Sequence, residues 1–193
     1  ACVSRGAFDL ILGWAYIYEG HGHHGFLFSP DGRSDEQTTA ASEFEILAPV
    51  SGELVHLENT NDPAFSSRSV GDGVAVVPQE GTVCAPVSGT VAALFPTEHA
   101  LGIMSDDSSA QVMLHIGIDT VKLEGKGFHA LVAQGDHVDA GQPLVEVDFD
   151  AVRAADFDPT VFVIVCERSE NSTLREHASG PVAAKEPVIW LSE

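Results

Sequence analysis

From about Phe44 the chain is a succession of short apolar runs, four to eight residues each, broken by Gly, Pro, Asp and Asn. Examples are "GVAVV", "GTVAALF", "QVMLHIGI", "PLVEVDF" and "TVFVIV", all rich in Val, Ile or Leu. This texture is that of many short antiparallel strands, in a sandwich or barrel. The one good helix candidate is "DFDAVRAAD" (148–156), capped by Asp148 or Asp150. Two stretches, "APVSGELVHL" (48–57) and "APVSGTVAAL" (85–94), open on the same five residues. Pro and Gly at fixed offsets set a turn that launches a strand. The echo is therefore either a duplicated β motif or one turn chemistry used twice. "GDHVDAGQPLVEVD" (135–148) has the look of the turn-and-strand element of barrel-sandwich hybrids. The expected fold is all-β: an antiparallel β-sandwich or barrel-sandwich hybrid with a duplicated hybrid motif and few short helices.

The 193 residues allow one sizeable domain and a little more. Residues 44–193 are read as that domain. Residues 1–43 hold "EGHGHHGF" and the polar tract "SPDGRSDEQTTAAS", and are read as a flexible extension or linker. His21, His23 and His24 there lack the carboxylate or Cys spacing of a defined metal site. Charge is lopsided, with 29 acids against 9 Lys and Arg and a formal net of −20. No basic stripe exists to neutralise phosphates, so a nucleic-acid partner is not expected. The acidity reads as a solvated surface, or as attraction to partners with basic faces. Cys2, Cys84 and Cys166 are far apart and odd in number, which fits a reducing cytoplasm better than a disulfide framework. No apolar run approaches the roughly 20 residues that span a bilayer. "LILGWAYIY" (10–18) is short and lacks a basic leader, so neither signal peptide nor membrane insertion is expected. The chain opens on Ala, as a processed form or a piece of something longer would.

One histidine stands inside a strand pattern. In "QVMLHIGIDTV" (111–121), period two puts Val112, Leu114, Ile116 and Ile118 on the core face. Gln111, Met113, His115 and Gly117 then share the opposite face. "HALGIM" (99–104) reads as the preceding strand and "SDDSS" (105–109) as a turn. Folded about Asp107, the hairpin sets His99 directly opposite His115, with Cβ atoms about 5 Å apart. Leu101 and Ile103 then join Met113 and Gln111 on that surface.

Three accounts of two adjacent imidazoles compete. Both can be partly buried rings satisfied by hydrogen bonds. They can be a metal pair, since neutral imidazole is a common zinc ligand, but no HxH or HExxH supplies a third ligand locally. Or they can do phosphoryl chemistry: one neutral ring is the nucleophile while the other donates N–H to the phosphoryl oxygens. An apolar rim would hinder hydrolysis.

The stretches "VGDGVAVVP" (70–78), "APVSGTV" (85–91), "FPTEHALGI" (95–103), "LHIGIDTVKLEGKGF" (114–128) and "GDHVDAGQPLVEVD" (135–148) occur in this order. On them the chain from about Phe44 to Glu193, some four-fifths of the sequence, resembles the glucose-type enzyme IIA domain of the bacterial phosphoenolpyruvate–sugar phosphotransferase system. The run from Leu114 to Phe128 is the most specific. The resemblance implies an all-β sandwich that acts as a phosphotransferase component through a phosphohistidine. It implies that His115 is phosphorylated, that His99 cradles the phosphoryl group, and that the Thr97 hydroxyl orients His99. It implies docking contacts at Asp62, Phe65 and Asp119, beside Met113 and Gly117 on the His115 face. The implied donor is the histidine-containing phosphocarrier protein. The implied acceptor is a cysteine of a IIB domain, which phosphorylates the incoming sugar.

No resident cofactor is implied, only the covalent phosphoryl group, and no protein metal site. Members of the family also bind permeases or kinases when unphosphorylated, and His99 and His115 could then share a zinc with a partner carboxylate. A regulatory binding module is thus the alternative function, and a zinc hydrolase on a similar hybrid fold is a third. "NDPAF" (61–65) has Pro63 and Ala64 where the family often carries valines, which implies a smaller apolar docking patch.

Overall fold

A computed structural model describes residues 43–192 of the chain. His21, His23, His24, Cys2 and the extension read over 1–43 lie, apart from Glu43, outside the described residues. The strands are β1 (Phe44–Leu47), β2 (Gly52–His56), β3 (Asp72–Pro78), β4 (Thr82–Cys84), β5 (Gly89–Leu94), β6 (Ala100–Ser105) and β7 (Ala110–Ile116). They continue with β8 (Phe128–Ala130), β9 (His137–Val138), β10 (Pro143–Val147), β11 (Val161–Arg168), β12 (Thr173–Glu176), β13 (Gly180–Val182) and β14 (Pro187–Ser192). Among the described residues two short α-helices occur, α1 (Pro63–Ser66) and α2 (Phe149–Ala154). Each of the five apolar runs that opened the sequence reading contributes a strand, and every pairing is antiparallel. Helix α2 sits inside 148–156, and the Asp148 carboxylate caps it by accepting the Ala151 N–H at 2.9 Å.

The strands form one eight-stranded sheet, β13-β2-β3-β11-β7-β6-β5-β9, and two of three strands, β1-β14-β12 and β4-β10-β8. Buried side chains from all three sheets make a single core, among them Ile46, Leu54, Val76, Leu114, Leu144, Val163 and Ile189. Alternation selects them. On β7, Val112, Leu114 and Ile116 point into the core as the sequence pattern predicts.

The echoed "APVSG" is a structural duplication. The large sheet reads symmetrically outward from the β11–β7 pair, with β2 and β5 in equivalent places. Ser51 Oγ accepts the Ala184 N–H and Ser88 Oγ accepts the Ala140 N–H, both at 2.9 Å. Likewise the Ala48 carbonyl accepts from Lys185 N–H at 2.8 Å, and the Ala85 carbonyl from Gly141 N–H at 2.7 Å. Each copy thus serves the same crossing between sheets. Its glycine is the residue that lets strands meet. A Cβ at Gly52 would lie 2.0 Å from the Val77 carbonyl oxygen, and one at Gly89 2.0 Å from that of Met104.

Candidate functional site

The site is built on the outer face of the large sheet. His115, near the end of β7, lies between Phe162 on β11 and Ala100 on β6. In the next row Met113 lies between Ile164 and Gly102. On the β6 side these neighbours are only Ala100 and Gly102, and a Cβ at Gly102 would meet nothing within 4 Å, which leaves a hollow beside the imidazole. Met113 is 6% exposed and belongs to its floor.

The hairpin register differs from the expected one by a residue. Ala100, not His99, pairs with His115, because the turn occupies 106–109 and Ser105 remains in β6. Leu101 and Ile103 therefore face Leu114 and Val112 in the core, and do not share the surface of Met113 and Gln111. Ile118 also leaves the expected core row: β7 ends at Ile116, and the Ile118 N–H goes to the Asp158 carbonyl.

The two rings still meet. Their centroids are 5.1 Å apart with the planes perpendicular. His99 lies just outside β6, in the four-residue tip of the β5–β6 hairpin, where Glu98 has φ 57°. Its Nδ1 is 2.7 Å from the Thr97 hydroxyl, and Phe95 packs edge-on at 5.5 Å. At 4% exposure His99 is deeper than a shallow surface site would place it.

A short segment roofs the hollow. The Asp62 carboxylate caps α1, accepting from the N–H groups of Ala64 (2.8 Å) and Phe65 (3.3 Å) through Oδ1. The helix points Phe65 inward, where it stacks on Phe162 at 4.2 Å and tilts against His115 at 5.2 Å. Arg68, just beyond α1, anchors the roof. Its guanidinium meets Glu58 (2.6 Å), Asp72 (3.3 Å) and Glu176 (2.7 Å), the last 12% exposed. Neither Phe162 nor Arg68 was singled out in the sequence. Phe162 could have been found as the outward residue of "TVFVIV", whereas nothing local marks Arg68.

On the other side the chain bends sharply. Gly117 has φ 78°, and a Cβ there would strike Thr120 Cγ2 at 2.3 Å. Buried Thr120 donates its hydroxyl to the Ile116 carbonyl, which locks the bend. Asp119 follows at φ 63°, exposed and paired with Lys122 at 2.6 Å. Val121, next along, is 49% exposed.

Electrostatics keep both rings neutral. Burial pushes His99 down to about 4. Burial pushes His115 down to about 3, with His99 acting the same way, while the Gly117 backbone and the Asp119 charge pull less strongly upward. His115 Nδ1 is buried and makes no hydrogen bond of ordinary geometry, yet the residue as a whole is partly exposed. The accessible edge is therefore the Nε2 edge. Among the described residues the cysteine thiols are held protonated: burial pushes that of Cys166 up to about 11 and that of Cys84 upward as well. Among the described residues no group of three or more His, Cys, Asp or Glu is arranged to hold a metal, so His99 and His115 stand without a third protein ligand.

Residues 44–171 match the family described as phosphoenolpyruvate-dependent sugar phosphotransferase system, EIIA 1. The chain is 35% identical over 160 residues to the glucose-specific EIIA component of Halalkalibacterium halodurans, covering 83% of this chain and 92% of that one. It is 42% identical over 144 residues to the glucose-specific EIICBA component of Streptococcus pneumoniae, covering 75% of this chain. The match spans only 20% of that relative's length. Among solved structures, glucose permease IIA from Mycoplasma capricolum superposes with a TM-score of 0.71 at 34% identity, over 77% of this chain and 96% of that one.

Proposed function

The chain belongs to the glucose-type EIIA family, phosphoryl carriers of the sugar phosphotransferase system, and we propose that His115 Nε2 is the atom that carries the phosphoryl group. The observation that supports this most is the ring pair itself: one imidazole with a single accessible nitrogen, and a second fixed perpendicular to it.

A neutral Nε2 lone pair attacks phosphorus in line. The new N–P bond forms as the bond to the donor's nitrogen breaks, through a loose transition state that asks mainly for positioning. The His115 proton stays on buried Nδ1 as the ring gains positive character. If the Thr97 hydroxyl donates to His99 Nδ1, the His99 proton sits on Nε2, ready to donate to a phosphoryl oxygen. Phe65 and Phe162 keep water from the adduct. In the second half-reaction a cysteine thiolate attacks the same phosphorus and His115 leaves as the neutral ring.

The donor in this reading is the histidine-containing phosphocarrier protein and the acceptor a IIB domain. The pneumococcal relative, named as an EIICBA component, carries IIB and IIC parts with its IIA part in one protein. Asp119 and the Oδ2 edge of Asp62 offer carboxylate oxygens at the rim, Val121 an apolar contact, and Phe65 a backing surface. Such a face suits partners with arginines around an apolar centre. Residues 44–193 form the carrier domain in this reading. Among the described residues no helix is long and apolar enough to cross a membrane.

The test is charging with phosphoenolpyruvate, the upstream enzyme and the phosphocarrier, read by intact mass. The chain should gain one acid-labile phosphoryl group, and His115→Ala should gain none. His99→Gln should charge but pass the group on at least tenfold more slowly. An adduct that survives His115→Ala sinks the assignment, and normal onward transfer by His99→Gln sinks the role of His99.

A further inference from the structure

We infer that Glu98 is a positioning residue for phosphoryl transfer: its left-handed backbone turns His99 toward His115, and its carboxylate pins that turn to the second sheet. The inference rests on the reading of His99 and His115 given above.

The argument starts from the register. With Ala100 opposite His115, a regular continuation of β6 would set His99 opposite Ile116, and so on the core side. The Ile116 N–H does reach the His99 carbonyl, at 2.7 Å, so the backbone still tracks β7 there. The imidazole nevertheless meets His115 on the outer side. What intervenes is the hairpin tip Pro96-Thr97-Glu98-His99. Phe95 and Ala100 close it with an N–H to carbonyl bond of 2.9 Å, and the Glu98 N–H returns to the Phe95 carbonyl at 2.8 Å. Glu98 sits at φ 57°, a conformation that a long L side chain avoids.

Such a conformation persists only where the surroundings over-determine it. The Glu98 carboxylate provides the constraint. Its Oε2 accepts the Ala130 N–H at 2.8 Å. Ala130 ends β8, an edge strand of the β4-β10-β8 sheet, so this one bond ties the hairpin tip across to another sheet. It also satisfies an edge N–H that would otherwise lack a partner. Thr97 and His99 flank the pinned residue, so the Thr97–His99 contact and the approach of His99 to His115 depend on it. A transfer governed by positioning is sensitive to displacements of about 1 Å.

The full chain, Glu98→Ala and Glu98→Gln are compared. Charging is read by intact mass, onward transfer to a IIB domain by rapid quench, and the His99 ring by an NMR pH titration. Glu98→Ala should charge like the parent but transfer about ten- to a hundredfold more slowly. Its His99 ring should titrate closer to an ordinary histidine than the parent's. Glu98→Gln keeps the reach and an oxygen acceptor, and should restore both readouts. Parental transfer by Glu98→Ala overturns the inference, and so does a loss in Glu98→Gln as large as in Glu98→Ala. Slow transfer with an unchanged His99 titration overturns it too, since that is what a merely structural role would give. If the parent chain takes up no phosphoryl group, the reading of His115 fails instead. The titration then judges Glu98 alone, an unchanged His99 counting against it.

Discussion

At the scale of single residues the proposed site is two histidines held neutral by burial, which has consequences for pH. Both folded rings bind protons more weakly than an unfolded chain does, at about 4 and about 3 against an ordinary 6.5. As pH falls below about 6.5 the unfolded state takes protons first, so native stability is lost progressively toward those lower values. Between pH 7 and pH 5 each ring should cost the fold about 2 kcal/mol. Urea midpoints of the parent and of His99→Gln/His115→Gln at the two pH values check this; equal slopes would refute it. The same neutrality predicts that charging rates stay nearly level from pH 8 to pH 6, because the proposed acceptor ring has no proton to lose. A rate that follows a group titrating near 6.5 on this chain would contradict the burial argument. His115 was legible from period two alone. The closeness of His99 was also expected, but it arises from a left-handed Glu98 and not from direct pairing. Local composition does not announce a strained turn.

At the scale of elements, two features carry the site. The first is the glycine that opens β2 and β5. Gly89→Ala or Gly52→Ala forces a methyl group onto a strand carbonyl, and each should destabilise the fold by about 3 kcal/mol. Thermal denaturation reads this, and an unchanged Tm for both would show that the sheets can part without cost. The second is the α1 roof. Phe65→Ala removes a ring that is 6% exposed and, if His115 carries the phosphoryl group as proposed, should shorten the lifetime of the adduct as water gains access. Mass spectrometry of the charged protein over time measures that lifetime. A parental lifetime would mean that Phe65 does not exclude water. Strands β3, β5, β7, β10 and β11 were readable because each lies in an apolar run bounded by breakers, whereas β12, "TLRE", and the two-residue β9 carry no such run. Helix α1 was not: it is four residues long, begins at Pro63, and exists because Asp62 caps it and Phe65 finds Phe162. Such a turn has no periodicity to detect.

At the scale of the molecule, duplication and charge set the behaviour. The duplication places the His115 strand at the centre of an eight-stranded sheet, where neighbours on both sides hold it. On the reading proposed above, the net charge of −20 favours encounter with partners that present basic faces. Raising the salt from about 0.05 M to about 0.5 M should therefore slow charging by the phosphocarrier about tenfold, through encounter and not chemistry. Stopped-flow rates across that range test it, and rates indifferent to salt would remove steering from the account.

Strand content, antiparallel class, the repeated turn and the face that bears His115 were settled by the order of residues along the chain. They depend on alternation and on Gly and Pro offsets, which are local properties. Three-dimensional packing decided the rest: the one-residue register, the swing of His99, the roof over His115 and the Arg68 anchor. Those depend on partners far apart in the chain, such as Glu98 with Ala130 and Arg68 with Glu176. Whether two such residues meet is set by how the sheets stack, which no single stretch of sequence encodes.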